Sequence, residues 1–126
     1  LKNKCVIDGD MILGNGLELY KTPGHSLGSM CIAVPTEEGR YVITGDMPHV
    51  YQCLFPKTDK WELMGGDVID VTPSSDNMEF LFNSVIYDQY ACYDSFMKLK
   101  VLAEKFEPKW YLTGHDMWVH NKKSFG

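Results

Sequence analysis

The chain has 126 residues, enough for one domain at most, and its 44% hydrophobic and 13% aromatic content is sufficient for a buried core. A formal charge of −5 without a Lys/Arg cluster excludes a binder of phosphate backbones. No apolar run approaches a membrane span and no signal-peptide pattern opens the chain, which predicts a soluble, cytoplasmic protein with neither membrane nor nucleic acid as partner. The four cysteines, Cys5, Cys31, Cys53 and Cys92, are widely spaced and form no C-x-x-C pair. They read as buried or half-buried free thiols of a reducing compartment, not as a zinc site. The chain begins on Leu1 instead of Met, so it reads as a fragment or a processed product.

Cys5-Val6-Ile7 and Met11-Ile12-Leu13 are short apolar runs set off by the turn clusters Asp8-Gly9-Asp10 and Gly14-Asn15-Gly16. Leu17-Glu18-Leu19-Tyr20 alternates as a half-buried strand does. A Pro-Gly turn follows, Thr22-Pro23-Gly24-His25-Ser26-Leu27-Gly28-Ser29, with a single histidine at its mouth. Met30-Cys31-Ile32-Ala33-Val34 is continuously apolar and reads as a strand covered on both faces. Thr36-Glu37-Glu38-Gly39-Arg40 then makes a hairpin loop into Tyr41-Val42-Ile43-Thr44. This part of the chain is a β-meander.

From Met47 to Thr72 the periodicity breaks. Pro48, Pro56, Gly65 and Gly66 punctuate the stretch, while Tyr51, Phe55 and Trp61 are scattered along it. It reads as a long loop that either shapes a pocket or anchors itself on the surface through its aromatics. Pro73-Ser74-Ser75-Asp76, with Glu79 three residues after Asp76, has the pattern of a capping box. That predicts helix from there to Phe106, in one or two pieces. Phe96, Leu99, Leu102, Ala103 and Phe106 keep the spacing of a buried stripe. Glu107-Pro108 ends the helix, and Trp110-Tyr111-Leu112-Thr113 reads as a last strand.

Three of these runs end in the same way. His25 follows Pro-Gly, Asp46 follows Ile43-Thr44-Gly45, and His115 follows Leu112-Thr113-Gly114. Imidazole nitrogen and carboxylate oxygen both suit a borderline cation such as Zn²⁺, and a carboxylate can bridge two ions. A glycine before each ligand lets the backbone turn steeply and lets a metal or substrate approach closely. Three such elements in order point to a metal site built at one edge of a sheet. Taken singly, each has a plainer use, as a turn histidine, a cap or a strand-end residue.

Thr22-Pro23-Gly24-His25-Ser26, Thr44-Gly45-Asp46 and Thr113-Gly114-His115-Asp116 resemble the later metal motifs of the metallo-β-lactamase superfamily. The likeness runs from about Gly9 to Asp116, and the N-acyl homoserine lactonase-like branch is the nearest named one. Tyr93-Asp94-Ser95-Phe96-Met97-Lys98-Leu99, followed by a strand ending in Gly-His-Asp, is also similar to that branch. The resemblance implies an α+β sandwich, with residues 1–126 forming one partial domain, the C-terminal half of a four-layer αββα fold. It implies that His25 completes a three-histidine zinc site, that Asp46 bridges two zincs, and that His115 binds the second. Mn or Fe are alternatives to Zn. Metal-activated water then hydrolyses a small-molecule ester or lactone.

The departures from the family pattern are specific. Its upstream His-x-His-x-Asp-His motif is absent, and Ser29 stands where lactonases often carry a second histidine. Three residues after the aspartate, where that branch has a tyrosine assisting at the carbonyl, this chain has His49, with Tyr51 two further on. His49 joins Asp46 as a catalytic candidate, Tyr51 is a substrate-binding candidate, and Asp116 is expected to orient His115 or cap the next segment. His120, beside Lys122 and Lys123, is expected to be solvated. Three ligands alone make a weak zinc site.

A half-fold also exposes the inner face of its sheet at Leu19, Ile32, Val34, Val42 and Ile43, which predicts association with the missing N-terminal half or as a homodimer. Two other expectations compete with the hydrolase. One is a binding or structural module that keeps relic ligands; the other is a flavodiiron-type redox enzyme, which the absence of a following flavin domain disfavours.

Overall fold

Short runs of β-branched and aromatic residues separated by Gly-rich turns favour a pleated sheet over a helix. The computed structural model describes residues 3–75 and 77–122. Its strands are β1 (Met11–Ile12), β2 (Glu18–Lys21), β3 (Met30–Pro35), β4 (Arg40–Gly45), β5 (Lys60–Glu62), β6 (Val68–Asp70) and β7 (Tyr111–Thr113). Five of them form one mixed sheet in the order β1-β2-β3-β4-β7. The first four make an antiparallel meander, and β7 returns from late in the chain to lie parallel to β4. With helices α1 (Gln89–Leu99) and α2 (Met117–Asn121), the class is α+β. No helix among the described residues is long and apolar enough to cross a membrane.

Register assigns each side chain to a face, because neighbours along a strand point to opposite sides. Ala33 pairs with Val42 and Val42 with Tyr111, so these three share a face. Helix α1 covers it with Cys92, Ser95, Phe96 and Leu99, spaced three and four apart. Together with Cys31 these apolar groups form one buried cluster, and full burial of each large side chain stabilises by about 1.5–3 kcal/mol. Val42 therefore faces the helix and is fully buried, a correction to its expected place on the open face.

The opposite face carries a row that crosses the whole sheet. Met11 pairs with Leu19, Leu19 with Ile32, Ile32 with Ile43 and Ile43 with Leu112. Ile43 is 41% exposed and Met11 39%; Leu19, Ile32, Leu112 and Val34 are half-buried. So β3 is covered on one face only, not on both as its apolar run suggests.

The long helix does not form. Asp76 lies outside the described residues, and Glu79 belongs to no helix; its carboxylate pairs with Lys100 at 3.0 Å. Helix α1 starts instead where Asp88 accepts a hydrogen bond from the Ala91 N–H at 3.0 Å, an N-cap. It ends at Leu99, and Val101 N–H to Lys98 O (3.2 Å) and Leu102 N–H to Leu99 O (3.2 Å) continue as tight turns. Those turns keep Leu102 buried and Phe106 half-buried without a helix under them. The stretch 77–87 is irregular because its backbone groups bond to other loops. Similarly, the expected loop 47–72 contains a 3-10 turn at Tyr51–Cys53 and the antiparallel β5–β6 hairpin.

Candidate metal centre

The parallel return of β7 determines where the reactive side chains fall. Strand β2 runs with β4, β3 runs against both, and β7 runs with β4. The end of β2, the start of β3 and the ends of β4 and β7 therefore share one edge of the sheet. Segments 22–29, 46–49 and 114–116 all leave from that edge.

Each segment is pinned. The His25 turn is closed by the Thr22 N–H to Ser29 O bond at 2.9 Å. At the end of β4, Gly45 takes φ +61°, a left-handed conformation that side chains rarely adopt. At the end of β7 the Gly114 N–H donates to Gly45 O at 2.9 Å. A Cβ on Gly114 would stand 2.7 Å from Asp46 Oδ1 and 2.9 Å from Gly45 O, so only glycine lets the two strand ends approach this closely. The His115 N–H then donates to His49 O at 3.1 Å.

The irregular segment before α1 straps these loops together. Asn83, 6% exposed, accepts from the His49 N–H at 3.1 Å and donates through Nδ2 to Asp46 O at 2.8 Å. The Tyr87 N–H reaches Gly24 O at 2.7 Å, and Val85 O lies 2.9 Å from His25 Nδ1. A carbonyl only accepts, so Nδ1 carries the proton, and in the neutral ring Nε2 keeps a free lone pair. That nitrogen stands 3.7 Å from Asp46 Oδ2.

The structure thus brings His25, Asp46, His49 and His115 together. His115 Nε2 is 3.1 Å from Asp46 Oδ1, so the two carboxylate oxygens face different histidines. The His49 ring is edge-on to both His25 (centroids 4.8 Å apart) and His115 (5.1 Å). One donor atom each from His25, Asp46 and His49 lie within 4.8 Å of one another. Burial, and then the charges of His25 and His115, lower the pKa of His49, which favours the neutral imidazole that ligates metals. His25 is 26% exposed at its side chain, Asp46 48% and His115 58%, so the cluster opens to solvent. Nitrogen and carboxylate donors with an available lone pair suit a borderline divalent cation.

Asp116 is fully buried and holds the neighbouring loops. Its Oδ2 accepts from the Tyr51 N–H at 2.6 Å and from the Thr113 hydroxyl. It stands at the N-cap of α2 but makes no capping bond from its side chain. Burial raises its pKa, opposed by the bonds from Thr113 and Tyr51.

Tyr51 is not brought to the cluster. Its hydroxyl donates to Lys60 O at 2.7 Å, and its ring lines a separate cavity of about 400 Å³ with Thr58 and Trp118. A cleft of about 480 Å³ does adjoin the cluster, lined by His49, His115, Gln52, Trp61, Phe82 and Asn83 among others. His120 is exposed on α2, away from these contacts. Asn83 and Val85 were hidden to sequence reasoning by the expected helix. The signal for them is an Asn-Ser pair followed by β-branched Val85 and Ile86, a poor helix interior.

No family model and no curated protein matches the chain. Solved structures do. One is an N-acyl homoserine lactone hydrolase with the product N-hexanoyl-L-homoserine bound at its catalytic metal center. It is 22% identical, with a TM-score of 0.60, and the match covers 91% of this chain and 36% of that one. A B. thuringiensis AiiA mutant with N-decanoyl-L-homoserine at its active site matches with the same identity, TM-score and coverage. A quorum-quenching N-acyl homoserine lactone lactonase matches at 23% identity and a TM-score of 0.59, over 95% of this chain and 39% of that one. These likenesses show that the chain's fold is similar to part of the fold of those N-acyl homoserine lactone hydrolases. The chain spans 36–39% of the length of those proteins.

Proposed function

We propose that the chain is the C-terminal portion of a metal-dependent hydrolase that opens a small ester or lactone. The observation that carries this reading is the gathering of His25, Asp46 and His115, with each oxygen of Asp46 turned toward a different histidine. His25 Nε2 and His115 Nε2 would hold divalent cations, zinc or alternatively manganese or iron, with Asp46 between them. When bound, such cations polarise a carbonyl and acidify water. The chain's own residues do the positioning: Val85 O fixes the His25 tautomer, Asn83 holds the loop between Asp46 and His49, and Asp116 ties the Tyr51 backbone to Thr113.

The cleft beside His49 and His115 supports a substrate with an apolar part, because Trp61, Leu81 and Phe82 line it. A non-catalytic module with relic ligands is the second reading, favoured by Ser29 where lactonases often carry a second histidine. The full-length protein, loaded with zinc or manganese, separates the two on a panel of lactones, esters, thioesters, phosphodiesters and β-lactams. The hydrolase reading expects turnover of at least one class, reduced by about 100-fold or more in Asp46→Ala. Turnover of none, or turnover that Asp46→Ala leaves intact, contradicts it.

A further inference from the structure

His49 stands where the tyrosine of the lactonase-like branch was expected, and its surroundings are those of a ligand. Its backbone is held at both ends, the N–H by Asn83 Oδ1 at 3.1 Å and the carbonyl by the His115 N–H at 3.1 Å. Its ring is thereby set between those of His25 and His115. No hydrogen bond to the imidazole is seen among the described residues, whereas His25 has its Nδ1 engaged by Val85 O. Donors on one zinc lie about 2.0–2.2 Å from it, hence roughly 3–4 Å from each other. The His25, Asp46 and His49 donors already lie within 4.8 Å, so a contraction of about an ångström seats them on one ion.

We infer that His49 is a metal ligand, and that His25, Asp46 and His49 form a single-cation site contained within this chain. The inference rests on the metal reading above and adds a ligand to it. Two imidazoles and one carboxylate with an open fourth position suit Zn²⁺, Co²⁺ or Fe²⁺. His115, on the other oxygen of Asp46, remains available to a second ion or to a water.

Cobalt(II) is the probe, since its visible spectrum reports coordination. The metal-stripped 126-residue chain is titrated with Co²⁺ alongside His25→Ala, His49→Ala and His49→Gln, with melting curves as the folding control. The expected result is about one Co²⁺ per chain, with His49→Ala weakening binding by about 100-fold or more and altering the spectrum. That exceeds the ~10–100-fold that loss of an outer-sphere partner costs. X-ray absorption on the wild-type complex gives a reading independent of variant folding, and two imidazoles on the ion are expected. Binding that His25→Ala abolishes and the His49 variants leave unchanged, or one imidazole by absorption, overturns the role of His49 while sparing the metal reading. No Co²⁺ binding by a wild-type chain that melts cooperatively overturns the self-contained site, while turnover by the metal-loaded full-length protein decides the hydrolase reading separately.

Discussion

The two faces of the five-stranded sheet are finished to different degrees. On one, Ala33, Val42 and Tyr111 meet Phe96 and Leu99 of α1 and are closed from solvent. On the other, the row Met11, Leu19, Ile32, Ile43 and Leu112 crosses every strand without comparable cover among the described residues. The cluster of His25, Asp46, His49 and His115 sits at the strand ends, and what holds it comes from the closed side, through the strap of Asn83, Val85 and Tyr87 leading into α1. A site can therefore be assembled on a sheet that is only half packed. Geometry at the edge and burial across the face are separate problems for this chain.

Changes on the closed face test that separation most severely. Phe96→Ala should cost about 3–5 kcal/mol, as for a fully buried aromatic, read as a large drop in denaturation midpoint. If the loss stays under about 1 kcal/mol, the helix-covered core is not what holds the chain together. The strap comes next. Asn83→Ala removes the bonds to His49 N–H and Asp46 O, and should weaken cation binding by about 10–100-fold. Because Asn83 is buried, the comparison is made at a temperature where the variant remains folded by circular dichroism; unchanged affinity there would detach the strap from the site.

The smallest effect on folding belongs to the open face. We propose that this face is an interface, with the remainder of the protein or with a second copy, since a continuous apolar row is costly to leave wet at ~25 cal/mol per Å². Ile43→Asp should then lower association in light scattering, while shifting the stability of the dissociated chain by no more than about 1 kcal/mol. A wild-type chain that stays monomeric at high concentration, alone and with its N-terminal portion added, would remove the interface from the account.

Much of this was legible in the residues. The Thr-Gly runs before Asp46 and His115 and the Pro-Gly before His25 announce strand ends that deliver imidazole and carboxylate groups, and short apolar runs between turn clusters announce the meander. What was hidden depends on distant partners. Nothing local in Val42 and Ile43 says which faces the helix, because that follows from pairing with Ala33 and Tyr111. The stretch from Glu79 to Tyr87 contains good apolar spacing, yet its backbone is taken by Cys53 O, Gly24 O and the His25 ring, so propensity loses to tertiary bonding. Likewise Lys60 and Asp70 meet only once the β5–β6 hairpin folds around Gly65 and Gly66, which act as turn residues rather than marks of a structureless loop. Tyr51 lies only two residues after His49, yet its hydroxyl is carried to Lys60 O and it lines a different cavity from the one beside His49, a placement set by the β5–β6 hairpin and not by spacing.

The central claim, that strand-end imidazoles and a carboxylate surround a divalent cation, is tested most directly by anomalous diffraction from zinc-soaked crystals of the chain. The account predicts a strong zinc peak within about 2.0–2.2 Å of His25 Nε2 and of an Asp46 oxygen. Crystals with zinc bound only at other residues, or with the histidines of positions 25 and 115 turned away from Asp46, would contradict it.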